Sequence, residues 1–494
     1  MDDKERQGPI HHDPRCAYKG DQTESEASNR GVIGIGRTDE MISTILGHNR
    51  SSRHFLPLLV VFFLTFIVIS SRYSSSSSIN GATNNNNDDA AISIKAVVKA
   101  ASEALTRRVK SLEYETIKRD LGISLDSEIT LESYDEDLRA TWRDYFLPRS
   151  LASENASSSR SPPPHQSVLD IALSKLSLLP PDRETTPIRP LPKHIYTTDL
   201  LPPDQLPEQF QTWIKHNEDW TTMFVSDEEI DTWLETALGS GSLRERTEGR
   251  EKLEVGVVRE MKRLKGDWGV VRADLFRYLV LLLNGGIYTD TDTASVLPIS
   301  EWARNPVKAL SSVPMLDVLP QLVEMAQPQT LHHLEPFQAH EVPTEQDEED
   351  SPSLLVALEI DAPDSETDWK DEGFVRGIQV VQWTIMAKKG HPVLLDVIGR
   401  ALRQAEEVAE GGKRDVNILD WSGPGAFTDA VFRYLLVRYG FHPSQASGLK
   451  QPLRIGDVVI MPVHSFRADA SEGPFQGEHR VVWHGFFGRW KGKE

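Results

Sequence analysis

The stretch VVRADLFRYLVLLLNGGIYTDTDTA, residues 270–294, decides the fold. Residues 271–284 read as a helix, since leucines and valines run through them without a proline or glycine. Gly285-Gly286 is a natural C-terminal stop, and Ile287-Tyr288-Thr289 then runs back as a strand. From Asp274 to the helix end is about ten residues at ~1.5 Å each. The turn and strand return most of that distance at ~3.3 Å per residue. Asp290 and Asp292 therefore come back beside Asp274 and Arg277, which are three apart and share a helix face. Three carboxylates and a guanidinium are expected to meet at the carboxyl end of a strand, where α/β sheets bind ligands.

Like charges repel, so two carboxylates one residue apart call for a positive partner. Carboxylate oxygens suit a hard divalent ion, Mn2+ or Mg2+. Such an ion bridges a diphosphate and neutralises its charge as a sugar–phosphate bond breaks. Arg277 would add bidentate contacts to phosphate or sugar oxygens. The blander readings are a surface ion pair for Asp274 and Arg277 and a solvated turn for Asp290 and Asp292. A bare D-x-D is common: Asp135-Glu136-Asp137 is a second case, expected on a solvated helix. The aspartyl-phosphate phosphatase signature D-x-D-x-[TV] is excluded, because Ala294 stands where threonine or valine is required.

The surrounding chain alternates strands and helices. Residues 193–197 read as a first strand, 206–217 as a helix, 221–225 as a strand, and 227–238 as a helix capped by Ser226 or Asp227. Residues 392–410 and 426–439 are helical, and 457–461 is a strand. Alternation of this kind implies an α/β domain with a mostly parallel sheet flanked by helices, expected over residues 187–494. The acidic run EQDEED, 345–350, is expected as a solvated loop.

The chain has 494 residues and a formal net charge of -20, which excludes the basic face a nucleic-acid partner needs. A single cysteine, Cys16, rules out an intrachain disulfide. FLPLLVVFFLTFIVI, residues 55–69, is uncharged and bracketed by Arg53 and Arg72. With His54, Ser70 and Ser71 it reaches the lower limit, ~17 residues, of a membrane span. The long polar segment before it is wrong for a signal peptide, so residues 54–71 are expected to be an uncleaved signal anchor. Arg50 and Arg53 before the span place the N-terminus in the cytosol. A short span suits an early secretory membrane. On this reading 1–53 is a cytosolic disordered tail that holds Cys16, and 72–186 is a lumenal stem and linker, partly helical. The stem begins with low-complexity sequence at 73–92 and has a Ser/Pro linker at 150–164. Residues 96–121 are helical by apolar period, and either pair with another copy as a stalk or pack on the globular part. Asn155-Ala156-Ser157 is a glycosylation sequon that this topology exposes.

Four stretches carry a resemblance. VRADLFRYLVLLLNGGIYTDTDTASVLPI at 271–299, VALEIDAPDSETDWKDEGFVRGIQVVQWTIMAKKGHPVL at 356–394, ILDWSGPGAFTDAVFRYL at 418–435 and WHGFFGRWK at 483–491 resemble the retaining glycosyltransferases of family 32. Within it they are most similar to the Golgi α-1,6-mannosyltransferase subgroup. The resemblance implies a GT-A-like, Rossmann-type catalytic domain. It implies that Asp274 and Arg277 contact donor sugar, that Asp290 and Asp292 bind the metal, and that Gln382 lies near the donor sugar. His484 would be a third metal ligand, with Trp490 and Lys491 near the diphosphate. Tyr196 falls in the first strand, which in relatives helps hold the nucleotide base. There Tyr196, Thr197 and Asp199 replace the family's aromatic-Gln-x-Trp pattern; Ser422 replaces a threonine and Arg489 a serine. The implied function is mannose transfer from GDP-mannose to an N-glycan or glycoprotein by a Golgi type II enzyme, with oligomerisation through the stem. No nucleophile stands out; Asp361 and Gln382 remain open, and a front-face mechanism needs none. The alternatives are an enzyme acting on inositol sphingolipid and a non-catalytic subunit of a mannosyltransferase complex.

Overall fold

The helix–glycine–strand hairpin anticipated at 270–294 forms the middle of the molecule. The computed structural model describes residues 86–147, 166–179, 190–238, 255–266, 268–317, 319, 351–362, 369–411, 416–463, 465–466 and 480–487. The expected anchor at 54–71, the acidic run at 345–350, the sequon at Asn155, and both Trp490 and Lys491 lie outside them. No helix among the described residues is long and apolar enough to cross a membrane.

Helix Gly269–Asn284 is buried on almost every side, because it lies between the sheet and helix Pro392–Ala409. That is why its sequence is apolar all round rather than striped. It ends at Gly285 and Gly286, with φ of 75° and 115°. A Cβ at Gly285 would sit 2.7 Å from the Lys389 amide nitrogen, and one at Gly286 2.6 Å from the His194 carbonyl oxygen. Backbone angle and space both demand glycine here, so the hairpin reverses without a longer loop.

The strands in chain order are β1 (His194–Thr197), β2 (Thr221–Phe224), β3 (Gly286–Thr289), β4 (Thr293–Ser295), β5 (Val307–Lys308), β6 (Leu354–Asp361), β7 (Ile378–Val380), β8 (Thr384–Ala387), β9 (Leu453–Ile455), β10 (Val458–Met461) and β11 (Val482–His484). Nine of them make one sheet in the order β2-β1-β3-β8-β6-β10-β9-β5, with β7 beside β6. Strands β2, β1, β3, β6 and β10 run one way; β8 is inserted antiparallel between β3 and β6, and β7, β9 and β5 are also reversed. The expected α/β class holds, with a mixed sheet flanked by helices. β11 and β4 form a separate two-stranded pair.

The core lies on both faces of the sheet. One cluster joins Tyr196, Tyr288, Leu354 and Ile385 to the long helices, and the other joins Ile195, Ile287, Trp213 and Trp383 on the opposite face. The helical part of the expected stem belongs to the first cluster. Tyr134, Leu138 and Trp142 are buried in it with Val109, Ile117 and Leu121. Helix Leu131–Thr141 is capped reciprocally by Thr130 and Ser133, and Arg433 reaches its Asp137 at 3.3 Å. The region read as one helix at 96–121 is two, Asn86–Lys110 and Tyr114–Leu121. Ala101, Leu105 and Val109 of the first are buried against the globular part, so its apolar stripe does not stand free as a stalk. The packed unit spans Thr83–Glu494 and reaches back past the boundary expected at residue 187.

Candidate active site

Asp274 and Arg277 lie one turn apart on helix Gly269–Asn284, with Arg277 Nη2 3.0 Å from Asp274 Oδ1. β3 returns Asp290 to the same guanidinium, at 3.4 Å. The backbone fixes it there: the Asp290 N–H donates to the Trp383 carbonyl at 2.9 Å, and the Thr293 hydroxyl donates to the Asp290 carbonyl at 2.7 Å. Between the two aspartates, the Thr291 hydroxyl donates to the Asp199 carboxylate, so one of the residues that departs from the family pattern anchors this turn.

Asp292 faces the other way. Its Oδ1 lies 3.2 Å from His484 Nε2, and its Oδ2 accepts the Phe487 N–H at 3.0 Å. β11 delivers His484 by pairing with β4, His484 opposite Thr293. The ring stacks on Trp383 at 4.5 Å, 9° from coplanar. Asp290, Asp292 and His484 each offer a ligand atom, all within 4.8 Å of one another.

Behind this triplet lies a buried polar cluster. Ser422 Oγ donates to Asp274 Oδ2 at 2.7 Å, and Gln382 Nε2 donates to Oδ1 at 3.4 Å. The Tyr278 hydroxyl lies 2.7 Å from Gln382 Oε1 and 2.8 Å from the Ser422 carbonyl. Arg277 donates to the Gln382 carbonyl at 3.2 Å and sits over the Tyr288 ring, 5.1 Å from its centroid.

The electrostatics split the carboxylates. Burial pushes Asp274 up to about 6, against the pull of Arg277 and Ser422. Burial also raises Asp290, opposed by Arg277 and abetted by Asp292; 29% of its side chain stays open to solvent, which moderates the shift. Burial works on Asp292 in the same sense, yet the hydrogen bond and charge of His484 and the Phe487 amide outweigh it and hold it below the usual range. The site carries three carboxylates against one guanidinium, a surplus that favours a bound cation.

The structure thus brings together Asp274, Arg277, Gln382, Asp290, Asp292 and His484. It does not bring Tyr196. That ring lies 2% exposed in the core, and its hydroxyl pairs with Asn284, at the far end of the helix from Asp274. Strand alternation explains the correction: Tyr196 pairs in register with Tyr288 and shares its helix-facing side. Asp361 is also elsewhere, its carboxylate accepting the Gly448 amide at 2.5 Å.

The family described as "Glycosyltransferase sugar-binding region containing DXD motif" matches residues 203–308, which include Asp274, Arg277, Asp290 and Asp292. The "Initiation-specific alpha-1,6-mannosyltransferase" of Candida albicans is 27% identical over 342 residues, covering 61% of this chain and 73% of that one. The protein of the same name from Schizosaccharomyces pombe is 32% identical over 230 residues, 45% of this chain and 47% of that one. The chain is a glycosyltransferase. The resemblance to family 32 drawn from its motifs is borne out by these relatives. A solved structure titled "PaToxG Glycosyltransferase" covers 55% of this chain and 79% of its own at 14% identity, with a TM-score of 0.27; at that score it carries no argument about fold.

In this glycosyltransferase several site residues carry no signal a sequence reader can use. Tyr278 is set by long-range packing, and Ser422, legible only as a departure from the family pattern, is brought to Asp274 by it too. Trp383, which holds both Asp290 and His484, reads as an ordinary strand aromatic. Glu359 accepts hydrogen bonds from Gln379 Nε2 at 2.7 Å and Trp383 Nε1 at 3.4 Å, although nothing local marks it out from the other acids of its segment.

Proposed function

We propose that this glycosyltransferase moves mannose from GDP-mannose to an N-glycan core in α-1,6 linkage, with retention of configuration, using Mn2+ or Mg2+. The observation that carries the reading is the meeting of Asp290, Asp292 and His484 beside Arg277, in a chain whose relatives bear the name α-1,6-mannosyltransferase. The residues fit a divalent ion. Two carboxylates and an imidazole are ligands for Mn2+ or Mg2+, and His484 Nε2 faces Asp292 Oδ1 at 3.2 Å, with all three ligand atoms within 4.8 Å of one another. When bound, the ion supplies positive charge to the diphosphate leaving group.

The chain's own groups do the rest. Arg277, locked between Asp274 and Asp290, offers a preorganised guanidinium to developing charge on the donor. Asp274 and Gln382, with Ser422 and Tyr278 behind them, accept and donate to sugar hydroxyls and fix the ring. No nucleophile is assigned, and front-face displacement needs none. The anchor at 54–71 completes the proposal as a type II Golgi membrane enzyme with a lumenal catalytic domain.

The test uses full-length protein in detergent, wild type and Asp290→Ala/Asp292→Ala, with Mn2+ and an oligomannose N-glycan. GDP-mannose, UDP-glucose and UDP-galactose are supplied separately, and products are read by mass and linkage. A hexose added only from GDP-mannose, α-1,6-linked and lost in the double variant, is expected. A product formed only from a UDP-sugar would overturn the donor.

A further inference from the structure

The turn that carries Ser422 is held from outside the centre. Helix Ile418–Trp421 ends at Ser422, and helix Pro424–Tyr439 starts at once after Gly423. The junction has no slack. A Cβ at Gly423 would stand 2.7 Å from the Leu419 Cα, and one at Gly425 2.9 Å from the Leu419 carbonyl oxygen and 3.0 Å from Asp420 Oδ1. Ser422 is buried, and its hydroxyl donates to Asp274 at 2.7 Å. Any shift of this turn therefore reaches Asp274 directly.

One guanidinium spans both helices. Arg376, in the loop before β7, is 7% exposed. Its Nε and Nη2 each donate to Asp429 at 2.9 Å, a bidentate pair with a buried carboxylate of helix Pro424–Tyr439. Its Nη1 donates to Asp420 Oδ1 at 2.6 Å, on helix Ile418–Trp421. The guanidinium thus bridges the two flanks of Ser422. Its own backbone is pinned in turn: the Arg376 N–H donates to Gln379 Oε1 at 3.2 Å, and the Gly377 N–H to the Leu121 carbonyl at 2.8 Å. Asp429 also takes the Ser124 N–H at 3.0 Å. The bracing residues Leu121 and Ser124 lie well upstream of the family match at 203–308.

The two arms contribute differently. Asp429 gives the buried guanidinium its charge partner, an arrangement costly to break. Asp420 is 46% open to water, and a pair with so exposed a partner adds little stability. What it adds is a fixed distance between the loop before β7 and the turn at Ser422. An ion pair that stabilises little, spans a tight junction and stops two residues short of Ser422 serves placement.

We propose that the Arg376–Asp420 pair is a positioning device for sugar transfer, setting the Ser422 turn so that Ser422 holds Asp274 beside Arg277. The inference rests on the reading above that Asp274 meets the donor sugar. Arg376→Ala would strip Asp429 as well, so Asp420 is the residue to vary. Full-length wild type, Asp420→Ala, Asp420→Asn, Ser422→Ala and Asp420→Ala/Ser422→Ala are compared by kcat/KM for the donor. The donor is whichever of GDP-mannose, UDP-glucose and UDP-galactose the wild type turns over, so a wrong donor leaves the device testable. Asp420→Ala and Ser422→Ala are each expected to lower kcat/KM about fivefold. The double variant is expected to fall about fivefold too, because both changes break one chain of contacts, whereas independent effects would multiply to about twenty-five-fold. Asp420→Asn keeps an acceptor oxygen and is expected to recover part of the loss. Asp420→Ala is expected to melt within about 2 °C of wild type. Wild-type kcat/KM in Asp420→Ala overturns the device, and so does a multiplicative double variant. A lowered melting point whose activity returns to the wild-type value on cooling overturns it as well, since the pair would then be merely structural. A wild type that turns over none of the three donors overturns the donor-site reading and the device with it.

Discussion

Two aspartate–histidine pairs in this molecule are built alike and end up different. Asp457 accepts Lys175 Nζ at 3.0 Å and the hydroxyls of Tyr434 and Tyr439, each at 2.9 Å, with His391 Nε2 3.5 Å away. Burial opposes its charge, but Lys175 and His391 win and hold it well below the usual range. One carboxylate meets one lysine and two tyrosine hydroxyls, and the cluster ties helix Gln166–Ser174 and its neighbours to the sheet. At Asp292 the histidine is similar, yet Asp290 stands close by and shares a single Arg277 with Asp274. Balanced charge makes a scaffold. Surplus charge at strand ends makes a place for a cation and its diphosphate.

Removing the surplus should separate the two regions most sharply. Asp290→Ala/Asp292→Ala is expected to lower transfer by about a thousandfold or more, some 4 kcal/mol of barrier, and to change the thermal midpoint little, because relieved repulsion at Asp290 offsets the lost Asp292–His484 contact. Initial rates and a melting curve check both halves. Removing the cation instead should hurt folding: Arg277→Ala leaves Asp274 and Asp290 uncompensated and is expected to cost about 3–5 kcal/mol. Adding Asp290→Asn should recover part of that loss in denaturant unfolding.

The scaffold pair should show the converse. Lys175→Ala is expected to cost about 3 kcal/mol in unfolding free energy while kcat for transfer holds. The folded-state pKa of Asp457 is depressed, so its contribution is present above the unfolded value of about 3.9 and is lost as pH falls through the folded one. Unfolding followed from pH 5 downward should show the wild type losing stability and Asp457→Asn losing less.

A smaller effect follows from Asp274. Its carboxyl, pushed up to about 6, must be ionised to hold Arg277, so kcat/KM should fall as pH drops below about 6. Ser422→Ala removes a donor to the charged form and should move that limb to higher pH, by about one unit or 1.4 kcal/mol. A pH–rate profile in which the two proteins coincide would contradict the assignment.

Legibility followed the range of the interactions. The helix, the Gly285-Gly286 reversal and the return of Asp290 to Arg277 are local geometry, and a reader with only residue spacings recovers them. His484 could be reached only through resemblance, since nearly two hundred positions separate it from Asp292 and nothing local announces the β4–β11 pairing. Tyr196 was misplaced because a strand's pattern fixes alternation but not which face meets the helix. Residues 96–121 carried a real amphipathic stripe, which fits a stalk and a packed helix equally well until the partner surface is known. Ser422 and Trp383 are ordinary residues that long-range packing brings to the site.

The central claim is tested most directly by titrating full-length protein in detergent with Mn2+, with and without GDP, and following free ion by electron paramagnetic resonance. One bound ion, held more tightly with GDP and weakened at least a hundredfold by Asp290→Ala/Asp292→Ala, is the predicted result. Equal binding by wild type and the double variant, or none by a folded wild type, would contradict it.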